Sequence, residues 1–195
     1  MIIYENDKKD FFNDVRKNLI SDIILKNLRK CGVGGGTRNE ILSWNNSLNQ
    51  MKNILETEDI PNDVYVAIEY KIPFSSKRID FIVSGYDQNE NKNILVIELK
   101  QWSEAEDTGK KDFVLTFVGG NKREVIHPSY QASSYKYLLE SFNEVLSSKI
   151  VNCFTCAYLH NASKLKNKNL NNNDLYTYVN ESKIYFKEDY DNLQN

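Results

Sequence analysis

Two short runs carry residues whose types and spacing could do chemistry: Arg78-Ile79-Asp80-Phe81 and Val96-Ile97-Glu98-Leu99-Lys100. Residues i and i+2 of a strand share a face, so Ile94, Val96, Glu98 and Lys100 project one way and Leu95, Ile97 and Leu99 the other. One face stays apolar, while the other ends in a carboxylate beside an ammonium. On the earlier run Arg78, Asp80 and Ile82 share a face, with Ile79, Phe81 and Val83 opposite. A hairpin turning at the polar loop Asp87-Gln88-Asn89-Glu90-Asn91 pairs Asp80 with Glu98. Glu69, near the end of a preceding strand with Ala67 and Lys71 on its face, can join them.

Two carboxylates about 4 Å apart repel by about 4 kcal/mol at an effective dielectric near 20. Such a cluster persists cheaply only with a proton, an amine or a metal among the acids. Oxygen ligands without a convergent histidine or cysteine favour a hard ion, Mg²⁺ or Mn²⁺. The chemistry expected is metal-assisted attack of water on a phosphodiester, with Lys100 holding the nucleophile or the scissile phosphate. A Glu-x-Lys on a strand also reads as a solvated face or a cross-strand ion pair, and the residues alone leave both readings open.

The elements that must position these groups follow from periodicity. Apolar residues from Phe11 to Leu28 recur at three and four, which predicts one amphipathic helix over about 8–30. A second helix is expected from Thr37 through Leu55. The linking loop Gly32-Val33-Gly34-Gly35-Gly36 has phosphate-loop composition but follows a helix and precedes no Gly-Lys-Ser/Thr, so it reads as a connection. Strands are expected at 64–70, 78–86 and 93–100, with a fourth at 113–118 ended by Gly119-Gly120. His127-Pro128 opens a helix to about Ser147, and a core strand follows at 150–159. Residues 1–160 form the expected domain, and the Lys- and Asn-rich stretch 161–195, in which only Lys183 to Phe186 looks ordered, reads as a weakly structured tail or linker. The fold class is α/β with a central mixed sheet flanked by helices.

The chain has 195 residues, 41% hydrophobic and 27% charged, and a net charge of −2, which excludes a globally basic nucleic-acid binder. Lys77, Arg78, Lys110, Lys111, Lys122, Arg123 and Lys136 are the basic residues nearest the acids in sequence and the candidate phosphate contacts. No run is apolar enough to span a bilayer and the start MIIYENDKKDFF lacks the order of a secretory signal, so a cytoplasmic protein is expected. Cys31, Cys153 and Cys156 are expected reduced, the last two as buried strand residues instead of half a zinc site.

The two charged runs, with Gln131-Ala132-Ser133-Ser134-Tyr135, resemble the PD-(D/E)XK nuclease superfamily, and the last resembles the helix motif of its RecB-like branch. IEYKIPFSSKRIDFIVSGYD, VIELKQW and HPSYQASSY are similar to the nuclease-like domain that precedes Schlafen-type superfamily 1 helicases in bacteria. The resemblance spans about 1–160 and implies a restriction-endonuclease-like core and a DNA substrate. It further implies Asp80 and Glu98 as metal ligands, the Leu99 carbonyl as a further ligand, and Lys100 as the catalytic lysine. Gln131 and Tyr135 would face the site and the nucleic-acid backbone. It also implies a DNA-processing or phage-defence setting. The chain holds no Walker A sequence, so a helicase-like ATPase would come from another chain as a partner, or this is a solitary module. A nuclease fold that only binds nucleic acid or a partner, with little or no turnover, is the alternative, and the oligomeric state is open, a homodimer included.

Of five neighbours, all but Trp44 carry two readings. Glu40 is an additional metal-site acid, or the closing residue of a Thr37-Arg38-Asn39-Glu40 capping box. Glu69 is a site acid, or an ion-pair partner of Arg78. His127 is a proton-transfer group, or a capping residue. Trp44 and Trp102 are packing anchors, Trp102 with the option of bordering a substrate groove.

Overall fold

Strand β4 (Lys92–Lys100), which carries Glu98 and Lys100, lies inside a six-stranded sheet in a computed structural model describing residues 1–194. Its neighbours are β3 (Arg78–Tyr86), antiparallel, and β8 (Asn152–Leu159), parallel. Outward from β3 come β2 (Tyr65–Lys71) and β1 (Tyr4–Asp7), and outward from β8 comes β9 (Ser182–Phe186). The sheet is therefore mixed, as the sequence predicts. The β3–β4 register is the expected one, Phe81 pairing with Ile97 and Tyr86 with Lys92. Asp87 builds the turn, its Oδ1 accepting the Asn89 and Asn91 N–H groups at 2.9 Å.

Helices α1 (Lys8–Arg16), α2 (Ile20–Lys30) and α3 (Arg38–Leu55) cover one face. There Phe11, Ile24, Leu48 and Met51 pack with Ile68, Phe81 and Ile97. Helix α4 (Pro128–Phe142) covers the other, with Tyr135 and Leu139 against Ile79 and Val96. No helix among the described residues is long and apolar enough to cross a membrane.

The single helix expected over 8–30 is two. Asn18 takes a left-handed φ of +56°, a conformation Asn tolerates, and the chain restarts at Ile20. A straight helix of that length would run about 35 Å; the break lets α1 and α2 each lay an apolar side into the same core. Helix α4 likewise stops at Phe142, because Asn143 is extended and caps the short α5 (Glu144–Ser147) through Val145 N–H at 3.0 Å.

Past Lys100 the chain forms a second sheet: β5 (Ala105–Asp107), β6 (Phe113–Val118) and β7 (Asn121–Ile126). Gly119 and Gly120, both with positive φ, make the two-residue turn between β6 and β7. The stretch after Asn161, expected as a weakly structured tail, is instead built into the molecule. β9 extends the main sheet in parallel to β8, and Leu170, Tyr176, Ile184 and Phe186 form a core with Ala105 and Val114. Its asparagines act as backbone partners: buried Asn167 accepts the Ala105 N–H at 2.8 Å and donates to the Ser103 and Ser163 carbonyls. Composition hid this, since each apolar anchor is separated from the next by polar residues.

Candidate active site

The site forms where β3 and β4 part. Their ladder ends at Phe81–Ile97, and the next residue, Asp80, uses its side chain to accept the Leu99 N–H at 2.9 Å. Asp80 thus lies against the start of Glu98-Leu99-Lys100. On β2, Glu69 has a left-handed φ of +55°. Ile68–Phe81 and Tyr70–Ile79 pair on either side of it, leaving Glu69 opposite Asp80 without a ladder bond.

Strand alternation fails at that point. Ile68 and Phe81 pack in the core under α1–α3, whereas Tyr70 and Ile79, two residues away, pack under α4. The expected common face for Ile79, Phe81 and Val83 is therefore corrected: the strands twist at Glu69 and Asp80, and Ile79 joins Ile82 on the α4 side. On β4 the alternation holds, with Ile94 and Val96 under α4 and Leu95, Ile97 and Leu99 under α1–α3.

A cleft of about 260 Å³ results, lined among others by Glu40, Trp44, Glu69, Asp80, Glu98 and Lys100. Glu98 is 1% exposed. Burial, then the charge of Asp80, pushes its carboxyl up to about 8 against the pull of Lys100. Burial, then Asp80, pushes Glu69 up to about 7, opposed by Arg78 and Trp44. Burial raises Asp80 too, against Lys100 and the Leu99 N–H. For Lys100 burial pulls downward, but Glu98 and Asp80 outweigh it and keep the ammonium charged. Its Nζ lies 2.5 Å from Glu98 Oε1, donates to Gln131 Oε1 at 3.1 Å, and sits 5.3 Å from the Trp102 ring. Gln131 in turn donates from Nε2 to the Tyr135 hydroxyl at 2.7 Å.

Glu69 is held from the helix layer by Trp44, whose Nε1–H donates to Oε1 at 2.7 Å. Arg78 bridges the acids, with Nε 2.9 Å from Glu69 Oε2 and Nη2 3.1 Å from Glu40 Oε1. Glu40 also closes the capping box, its Oε2 accepting the Thr37 N–H at 3.0 Å. Both of its oxygens thus have protein partners. Two glycines of the loop meet close neighbours in positive-φ conformations: a Cβ on Gly35 would come within 3.2 Å of Arg78 Nη1, and one on Gly36 would overlap Leu25.

The predicted nucleic-acid contacts divide. Arg78 is engaged by the two acids. Tyr135 is 2% exposed in the α4-side core, and its hydroxyl, which accepts from Gln131, faces the acids through Glu98. Lys77 donates to Ser134 Oγ at 2.9 Å beside the cleft. Lys136 does not line the cleft; its charge acts on the buried Cys153. Lys110 and Lys122 are paired with Glu124 and Glu106 on the second sheet. His127 is fully buried and caps α4, Nδ1 accepting the Ser129 N–H, with its ring stacked 4.1 Å from that of Tyr176. Cys153 and Cys156 are buried free thiols.

Sequence reasoning missed Ser43, Ser47, Gln101 and His160. Gln101 Nε2 donates to Ser43 Oγ at 2.7 Å, and His160 Nε2 lies 3.0 Å from Ser47 Oγ. The β4–β8 register, Lys100 beside Leu159, brings His160 next to Gln101, and nothing local in the sequence encodes it.

Whether a hard divalent ion fits is tested by the donors present. Glu98 Oε2 is buried without a hydrogen-bond partner, a penalty a cation would relieve. No cluster of three His, Cys, Asp or Glu side chains in metal-binding arrangement occurs among the described residues. Mg²⁺ commonly binds through one or two carboxylates together with waters and substrate phosphates, and Asp80 and Glu98 are the carboxylates of this cleft that match that donor set. No family model, curated protein or solved structure matches the chain.

Proposed function

We propose that the chain is a metal-dependent nuclease of PD-(D/E)XK type that hydrolyses phosphodiester bonds in DNA. The observation that carries this reading is the convergence of Asp80, Glu98 and Lys100 in one cleft, with a buried Glu98 oxygen left without a partner. Asp80 and Glu98 would hold Mg²⁺ or Mn²⁺, joined by the Leu99 carbonyl. When bound, the cation supplies positive charge to the phosphate and a lowered pKa to the attacking water.

The protein's own groups do the rest. Lys100, charged and aimed by Gln131, stabilises negative charge developing on the phosphate or holds the incoming water. Trp44 and Arg78 fix Glu69 beside Asp80, within reach of a proton leaving the water. The resemblance of the sequence extends the proposal to a DNA-processing or phage-defence setting in the cytoplasm, with a helicase-like ATPase as partner.

The test is incubation of single- and double-stranded DNA with purified protein and Mg²⁺ or Mn²⁺. Cleavage abolished by EDTA is expected; none with any divalent ion would overturn the reading. A second reading, binding without turnover, is favoured by the Lys100–Glu98 and Arg78–Glu69–Glu40 ion pairs, which neutralise the acids without a metal. DNA binding that is unchanged in EDTA and never followed by cleavage distinguishes it.

A further inference from the structure

Helix α4 lends Gln131 to the acid cleft and Tyr130, Ser134 and Tyr137 to a second cleft of about 570 Å³, which Lys77 and Tyr178 also line. Tyr130, Ser134 and Tyr137 form one stripe of α4 at i, i+4 and i+7. Tyr178 enters from the 3-10 turn Thr177–Asn180, its ring 4.7 Å from that of Tyr130 and at 71° to it. Tyr137 is 49% exposed, with its hydroxyl donated to Glu181. Lys77 Nζ donates to Ser134 Oγ at 2.9 Å, and Ser134 Oγ donates to the main-chain carbonyl of Gln131 at 2.7 Å, which fixes the cation against α4.

We infer that the second cleft receives an unpaired base of the substrate, stacked on the Tyr130–Tyr178 pair with a flanking phosphate at Lys77, which makes single-stranded or locally unpaired nucleic acid the substrate class. The inference rests on the nuclease reading of the adjacent site. Aromatic faces bind any base by its π surface, and a base offers that surface only when it leaves a duplex stack. The lining is three tyrosine rings with Leu138, serines and the Lys77 cation, a flat aromatic surface with a charge beside it, which fits a base and its phosphate. Gln131, which contacts Lys100, and the tyrosines Tyr130 and Tyr137 of the second cleft stand on the same helix, so a strand leaving the acids along α4 would meet them.

The experiment measures binding by fluorescence anisotropy in EDTA, where turnover is off, and cleavage in Mn²⁺ alongside. A labelled oligothymidylate is expected to bind about tenfold more tightly than both an abasic strand and a blunt duplex of equal length. Tyr178→Ala should lose about the same factor and Tyr178→Phe should not. Equal affinity for thymidylate and abasic strands overturns the inference, and that comparison needs no variant, so it stands even where Tyr178→Ala fails to fold. Cleavage that ignores both the bases and Tyr178 removes the base cradle and leaves the nuclease. Base-dependent binding without any cleavage removes the nuclease and leaves the cradle.

Discussion

Glu69 stands opposite Asp80 on neighbouring strands, yet the two share no ladder bond, because Glu69 has a left-handed φ of +55°. A non-glycine residue in that conformation is uncommon and costs about 1 kcal/mol or more. Here it turns an acid into contact with Trp44 and Arg78, beside a second acid, at the point where the strand faces exchange.

The raised acids set the pH dependence of stability. Glu69 and Glu98 titrate at about 7 and about 8 in the folded chain, above their ordinary value of 4.5, so the native state holds protons the unfolded state has lost. Their contribution is full below about pH 4.5 and declines as pH rises through 7 and 8. Thermal melts in EDTA should show Tm falling from pH 5.5 to pH 8.5, with Glu98→Gln flattening the fall. At pH 8, Mn²⁺ should raise Tm by binding the native state.

Trp44→Phe keeps an aromatic ring but removes the N–H donated to Glu69. A loss of about 1–3 kcal/mol is expected from a buried carboxylate left short of a donor. Urea denaturation at pH 8 measures it, and the loss should shrink at pH 5, where Glu69 carries a proton.

His127 is a capping residue here, and its neutral form is the folded one: burial lowers it to about 4. Its contribution is full above about pH 6.5 and declines as pH falls toward 4. His127→Ala should cost about 2–5 kcal/mol at pH 7, from the lost cap, the lost contact with the Leu170 carbonyl and the cavity left beside Tyr176. The Tm gap to wild type should narrow as pH falls, while cleavage at permissive temperature stays within about twofold. A proton-transfer role would instead lower the cleavage rate with Tm unchanged.

The segment after Asn161 tests whether it is a linker or part of the core. Deleting residues 162–195 removes β9 and uncovers Leu159 and Ala157, both fully buried. The truncated chain should lose its cooperative melt in circular dichroism. A sharp transition near the wild-type Tm would show the segment to be dispensable.

The β3–β4 hairpin was legible because two signals agreed: alternation along Asn93–Lys100 and from Phe81 to Tyr86, and the turn chemistry of Asp87; the face change at Asp80 was outside both. Asp80, Glu98, Lys100 and Gln131 followed from that register and one helix motif. Glu69's turn was not legible, since periodicity presumes regular strand geometry and cannot signal a positive φ. The Asn18 break was hidden for the same reason. Tyr130, Tyr178 and His160 depend on contacts between distant segments, which no local pattern encodes.

The central claim is tested most directly by single-turnover DNA cleavage in Mn²⁺ by wild type, Asp80→Asn and Lys100→Ala, each variant first shown to melt cooperatively. The account predicts cleavage by wild type and a rate at least about 100-fold lower in both variants. Equal rates in all three proteins would contradict it.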